Sequence, residues 1–336
     1  MTAVLDSLQQ GRQAVLPAMR AALDRLDPAS RAIAYYHLGW TDLDGNPTSG
    51  GGKAVRPALA LLSAEAAGAP PATGLPGAVA VELVHNFSLL HDDLMDGDTE
   101  RRHRPTVWAV RGAASAILTG DAMLALATEV LLDSEGPGAV AATRLLSEAV
   151  GELIRGQVLD VAFEQRDDVT LDECLDMAGG KTGALLSASS AIGAVLACAP
   201  QHVVGALAEF GADLGLAFQL VDDVLGIWGE PSVTGKPVHS DLRARKKSLP
   251  VTYAVAHGGA PGRELAVWLT EGDVADDDAV RRAADLVDLA GGRAWALEEA
   301  RRRMAAGQQK LEDADVPGRV RAELLALARF IVTREA

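Results

Sequence analysis

Apolar residues recur at steps of three and four through 75–95, 139–164, 202–228 and 318–332, while sustained alternation of period two is absent. A repeat of that kind gathers side chains on one side of a helix, so the four stretches predict long amphipathic helices. Between them Gly and Pro collect in DLDGNPTSGGG (42–52), GAPPATGLPG (68–77), SEGPG (134–138) and GGAPG (258–262), clusters that punctuate helices. The pattern predicts an all-α bundle of about a dozen helices. Uncharged GALLSASSAIGAVLACAP (183–200) comes nearest to a membrane span, yet it is short and rich in Ala, Ser and Gly. A buried, close-packed helix is expected there, with no stable membrane insertion.

Length permits two domains at 336 residues, but no low-complexity or Ser/Pro-rich linker divides the chain, and one domain over 1–336 is expected. A formal net charge of −15 argues against nonspecific binding to nucleic acid or to an anionic membrane. The start MTAVLDSLQQ lacks the basic and apolar parts of a signal peptide, so a cytoplasmic location is expected. Cys174 and Cys198 lie in helical segments without metal or disulfide spacing and are expected as reduced core residues.

Two aspartate clusters interrupt the apolar runs: LLHDDLMD with Asp92, Asp93 and Asp96, and AFQLVDDVLGIWG with Asp222 and Asp223. On a helix, residues three and four apart are neighbours, so the first cluster brings three carboxylates onto one face. Carboxylates crowded in apolar surroundings resist ionising, and divalent metal with a phosphate-rich ligand is a common relief. The chain holds its own control in ADDDAV (275–280), where Asp276 to Asp278 sit in a polar, helix-starting stretch and read as a cap.

Only six of the 31 basic residues are lysine, and five of those fall in Gly-rich or polar motif segments: Lys53, Lys181, Lys236, Lys246 and Lys247. Lysine offers a compact charge to a phosphate oxygen, whereas arginine offers a planar fork that grips two. Arg56 follows Lys53 closely, and the run RRHRPT places Arg101, Arg102 and Arg104 just beyond Asp96. Acidic and basic sets this close predict a shared anionic ligand.

The ordered set GGKAVRP, HDDLMDGDTERRHRPT, GQVLDVAFE, GGKTG, FQLVDDVLG, GKPVHSDL and RKKSLP resembles the trans-isoprenyl diphosphate synthases, the polyprenyl synthetase family, with a flavour of its actinobacterial geranylgeranyl branch. The resemblance implies a single-domain isoprenoid synthase helical bundle around a deep central cavity, usually a homodimer. It implies condensation of isopentenyl diphosphate with an allylic diphosphate, the latter held by three magnesium ions. Carried over by position, Asp92, Asp96 and Asp222 are metal ligands supported by Asp93 and Asp223. Arg101, Lys181, Lys236 and Lys246 contact the allylic diphosphate, and Thr182 and Gln219 lie beside the reacting carbon. Asp160 and Gln157 fall where the family keeps an acid and an amide near the metals. Isopentenyl diphosphate falls to Lys53, Arg56, His85 and Arg102 without metal. Two departures stand out: Gly226 replaces a third aspartate of the second cluster, and Ala54 replaces a frequent arginine.

In the family, residues before the first cluster floor the cavity for the growing tail. Phe87, with small Ser88 beside it and no insertion in DDLMD, resembles makers of C20 geranylgeranyl diphosphate. A farnesyl or longer-chain synthase and a class I terpene cyclase are the alternatives; a cyclase has no use for the isopentenyl diphosphate set.

Overall fold

The computed structural model describes residues 2–48, 50, 52, 54–231, 238–270 and 276–332. Among the described residues the fold is carried by sixteen α-helices; extended pairing is limited to one two-residue hairpin and a bridge between Thr41 and Pro47. The chain packs as two compact units, the first made of Met1–Val150, Ala188–Ala208 and Glu312–Leu327, the second of Gly151–Ser187, Glu209–Leu311 and Ala328–Ala336.

The first unit contains α1 (Thr2–Leu23), α2 (Pro28–His37), α3 (Val55–Ala66), α4 (Leu75–Met95), α5 (Val107–Arg111) and α6 (Ala113–Leu132). α2 starts where Asp27 accepts from the backbone N–H groups of Ala29 and Ser30, with Pro28 in the first turn, where its missing N–H is harmless. The apolar stripe of α4 is buried against α3 and α6, with Leu59, Leu83, Leu90, Met123 and Leu131 sealed from solvent. Removing such side chains from water is the main source of stability here.

α7 (Ala139–Glu164) begins in the first unit and ends in the second. There follow α8 (Leu171–Ala178), a five-residue π-helical turn (Gly179–Gly183), α9 (Ala184–Leu196) and α10 (Gln201–Trp228). Beyond them come α11 (Ser240–Arg243), α12 (Leu249–His257), α13 (Gly259–Thr270), α14 (Asp277–Leu289), α15 (Gly292–Asp313) and α16 (Gly318–Val332). Thr170 and Glu173 close a reciprocal capping box at α8. Asp276 caps α14 by accepting from Ala279 N–H, the role expected of that acidic run. One core of the second unit gathers Phe163, Met177, Leu220, Val224 and Leu225; another gathers Ile227, Leu242, Val251, Leu265 and Val287.

The four periodic stretches correspond to α4, α7, α10 and α16. The 183–200 segment forms the buried helix α9, but α6 and α10 are the helices long and apolar enough to cross a membrane by length and composition. Cys174 is buried as expected. Cys198 is exposed, because it falls past the end of α9 with φ +54°, where the chain has already left the core.

Candidate active site

Asp92 and Asp93 end α4 and Asp96 caps it, but the three carboxylates do not share one environment. Asp96 is exposed, Asp92 partly so, and Asp93 is buried at 2% exposure. Consecutive helical residues point about 100° apart, so a DD pair cannot present both acids to one side. Arg101 Nε donates to Asp93 Oδ1 at 2.6 Å. Burial pushes the Asp93 carboxyl up, Arg101 pulls it back, and Asp98 and Asp96 add to the upward push.

Arg101 is placed by the hairpin, strands β1 (Glu100–Arg101) and β2 (Arg104–Pro105) paired antiparallel with Arg101 opposite Arg104. Its two turn residues, Arg102 and His103, have φ of +54° and +59°, as a two-residue turn of the primed type requires. Neither is glycine, so the turn carries local strain, held by contacts around it. Asp98 carbonyl oxygen accepts from Thr106 Oγ1 and Trp108 Nε1 at 2.8 and 2.7 Å. Arg104 donates to the carbonyls of Tyr36 and Thr41 and lies over the Tyr36 ring, while Tyr36 O–H donates to Pro105. Arg104 thus fastens the hairpin to α2, while Arg101 serves Asp93.

A cavity of about 250 Å³ opens beside the hairpin, lined by Tyr36, His37, Asp93, Arg101, Arg102 and Arg104 among others. Arg56, Arg102 and His85 also gather in this unit. Burial first, then Arg56 and Arg102, hold His85 well below the usual imidazole range. Glu82 sits in the same group: burial raises its carboxyl while Arg56 and Arg102 oppose the rise. Asn86 donates to Glu82 and bonds His37, whose buried Nε2 has no partner. Burial, with Arg101 and Arg102, holds His37 down at about 3. His37, Glu82 and Asn86 were not singled out by sequence reasoning. Asn86 had a signal, as a lone amide within the apolar run of α4; His37 had none. Phe87 is buried and meets His91 edge to face at 5.0 Å, and Ser88 Oγ donates to the His85 carbonyl.

In the second unit, Lys181 and Thr182 ride on the π-helical turn. A Cβ at Gly156 would overlap the Lys181 backbone nitrogen, and one at Gly215 would meet Gly183 Cα at 2.5 Å. Only glycine lets α7 and α10 close on the turn backbone to backbone. Lys181 Nζ bonds Asp160 Oδ2 at 2.6 Å. Thr182 O–H donates to Gln219 Oε1 at 2.7 Å, Gln219 Nε2 donates to Asp223 Oδ1 at 2.8 Å, and Leu249 N–H donates to Asp223 Oδ2 at 2.9 Å. Asp223 therefore caps the start of α12 as well as anchoring the amide.

The second pair of aspartates repeats the division seen in the first. Asp222 is exposed, whereas Asp223 is buried and held up at about 6 by that burial, against the pull of Lys246. Burial alone would lower Lys246, but Asp223, Asp241, Asp160 and Asp222 outweigh it and hold the ammonium charged. Gln157, one turn before Asp160 on α7, is buried with neither amide atom bonded to protein. Lys53 and Lys236 lie outside the described residues.

Among the described residues, no three acidic, histidine or cysteine side chains converge closely enough to hold a metal alone. Magnesium takes only one or two carboxylates from protein and fills its shell with water and phosphate oxygens. The outward-facing Asp92, Asp96 and Asp222 are donors of the right hard-oxygen kind.

The polyprenyl synthetase family model matches residues 45–287. A (2E,6E)-farnesyl diphosphate synthase of Mycobacterium bovis is 56% identical over 336 residues, covering 99% of this chain and 94% of its own length. A geranylgeranyl diphosphate synthase of Mycobacterium tuberculosis is 42% identical, covering 98% and 93%. The crystal structure of a polyprenyl synthetase from Streptomyces coelicolor superposes with a TM-score of 0.93 at 53% identity, over 98% of this chain and 100% of that one. A geranylgeranyl pyrophosphate synthase from Corynebacterium glutamicum, complexed with isoprenyl diphosphate and magnesium, superposes with a TM-score of 0.80 at 26% identity over 99% and 98%.

Proposed function

Because this chain belongs to the polyprenyl synthetase family and is thereby a trans-prenyltransferase, we propose that it joins isopentenyl diphosphate to an allylic diphosphate and that its main product is farnesyl diphosphate, C15. The observation that carries the chain length is 56% identity to a farnesyl diphosphate synthase, against 42% to a geranylgeranyl diphosphate synthase. C20 remains the second reading, favoured by Ser88, whose small side chain is tied to its own helix and leaves Phe87 the sole aromatic of the two.

In this reading the allylic C–O bond breaks and diphosphate leaves with the electron pair. The double bond of isopentenyl diphosphate attacks the cation, and loss of a proton restores an alkene. Asp92 and Asp96 in the first unit and Asp222 in the second would each offer carboxylate oxygens to magnesium, which would supply positive charge to the departing diphosphate. Arg101, Lys181, Lys236 and Lys246 grip the same group. Asp160 holds the Lys181 ammonium in place at 2.6 Å beforehand, and the Thr182 and Gln219 oxygens, locked at 2.7 Å, bring partial negative charge beside the allylic cation. Lys53, Arg56 and Arg102 bind isopentenyl diphosphate as cations without metal, and neutral His85 offers it a ring N–H. The buried aspartates take no metal here; Asp93 orients Arg101, and Asp223 orients Gln219.

A homodimer is part of the proposal, supported by the apolar outer side of α6, where Ile117 and Leu118 are exposed. The test of function is incubation with labelled isopentenyl diphosphate, magnesium and C5, C10 or C15 acceptors, followed by product sizing. C15 is expected to accumulate from the C5 and C10 acceptors. No incorporation from any acceptor rejects elongation, and a hydrocarbon formed from an allylic diphosphate alone points to a cyclase.

A further inference from the structure

A polar chain beside the hairpin, Glu82, Asn86 and His37, takes part in no step of the proposed reaction, yet its bonds fix which way each group faces. Asn86 is 2% exposed on α4, and its Nδ2 donates to the Glu82 carbonyl at 2.8 Å and to Glu82 Oε1 at 3.2 Å, one turn earlier. Both amide hydrogens are thereby spent, so the bond to His37 is made by Asn86 Oδ1, which can only accept. The imidazole must donate it. Burial and the arginines keep the ring neutral, so it carries one proton, and that proton sits on Nδ1, the nitrogen facing Asn86. His37 Nε2, sealed from solvent and without a partner, is left as a bare lone pair.

The walls of the cavity decide what that lone pair can accept from. His37 lines it together with Arg101, Arg102 and Arg104. An acceptor among guanidinium groups is matched by their N–H donors, not by diphosphate oxygens, which are acceptors themselves. Arg101 is turned to Asp93 through Nε, and Arg104 directs its two terminal nitrogens to the Tyr36 and Thr41 carbonyls. Arg102 rises from the left-handed turn, and its Nη1 and Nη2 lie 3.5 and 3.6 Å from where a Cβ on Gly52 would stand, in the Gly-rich segment that runs into Lys53. A guanidinium carried on a two-residue turn has no helix or strand to set its direction.

We propose that His37 is a positioning residue of the isopentenyl diphosphate site, its Nε2 lone pair accepting an Arg102 N–H when the diphosphate draws that guanidinium in. This rests on the reading of Arg102 as a ligand of isopentenyl diphosphate. Asn86 and Glu82 fix the tautomer that makes Nε2 an acceptor. The chain Glu82, Asn86, His37, Arg102 then runs from α4 through the end of α2 to the hairpin, so three separate elements set the direction of one cation. An imidazole with its proton on Nε2 would turn a donor toward a donor and push the guanidinium away.

The test is calorimetric titration of isopentenyl diphosphate into the full chain without magnesium, since this site uses none in the proposed function. His37→Leu, which fills similar space without an acceptor, is expected to weaken binding about tenfold, the size of one lost hydrogen bond to a charged group. His37→Gln restores an acceptor and is expected to recover binding to within about threefold. In steady-state assays His37→Leu should raise the KM for isopentenyl diphosphate by a similar factor and that for the allylic diphosphate by less than about twofold, a split that general loosening of the fold would not give. Nitrogen NMR of the unaltered protein needs no variant: the expected result is an unprotonated His37 Nε2 whose resonance moves on addition of isopentenyl diphosphate. A proton on Nε2, a folded His37→Leu that binds as tightly as the unaltered protein, or equal weakening in the Leu and Gln variants overturns the proposal. Affinity untouched by Arg102→Ala instead rejects the reading of the site, and the role of His37 with it.

Discussion

Arg101 Nε donates to the buried Oδ1 of Asp93 at 2.6 Å, joining the strained hairpin to the end of the helix that carries the first acidic cluster. Arg101→Ala leaves that carboxylate buried and without its cation, which is expected to cost about 2–4 kcal/mol at neutral pH. Pairing it with Asp93→Asn should recover most of the loss. Urea unfolding of both variants checks this, and a double variant as unstable as the single one contradicts it.

Asp223 is expected to make stability fall with rising pH. Its carboxyl is held up at about 6, above the ordinary 3.8, so the folded chain keeps a proton that the unfolded chain has released between those values. Stability conferred by that proton is full below the lower value and is lost as pH rises through the upper. Asp223→Asn should flatten this part of the profile and gain about 1–3 kcal/mol over the unaltered protein at pH 7. Parallel profiles in urea unfolding from pH 4 to pH 7 would falsify the assignment.

His37 and His85 are already neutral well below physiological pH, because burial and the arginines around them expel the proton. The KM for isopentenyl diphosphate should therefore show no histidine inflection between about pH 6 and 8, where a free imidazole would titrate. A bend near pH 6.5 that disappears in His85→Gln would contradict this.

Phe87 serves the core and, in the proposed function, the cavity floor. Phe87→Ala is expected to lengthen the product by at least one C5 unit and to cost about 3–4 kcal/mol through the hole it leaves. Product sizing and thermal melting read the two effects separately, and an unchanged product length removes Phe87 from the floor.

Leu118 is 64% exposed on α6 with Ile117 beside it. If the proposed homodimer forms through this face, Leu118→Glu should yield monomer in sedimentation with helicity intact. An unaltered sedimentation coefficient counts against a dimer through α6.

Much of this was legible from residues alone. Helix extents followed from a 3.6-residue period, and the clusters followed from acids in runs where acids are expensive. What the pattern could not say is which member of each DD pair turns inward. That depends on Arg101 arriving by a hairpin and on Lys246 and Leu249 N–H arriving from beyond α11. The approach of Asp241, a member of GKPVHSDL, to Gly226 was equally hidden, since fifteen positions separate the two in sequence and only the folded backbone brings them together. His37 lay among surface-like residues of α2, and the Asn86 that bonds it comes from a helix distant in sequence.

The left-handed turn at Arg102 and His103 has a consequence for engineering. A thermostabilisation scheme would replace two non-glycine residues of positive φ with Asn-Gly, relieving strain and commonly gaining about 0.5–2 kcal/mol. At this turn the gain would remove Arg102, so under the proposed function the stiffer protein would be the one with poorer grip on isopentenyl diphosphate. Directed evolution selecting for heat resistance alone is thus expected to find this hairpin early, and selection for turnover to undo it.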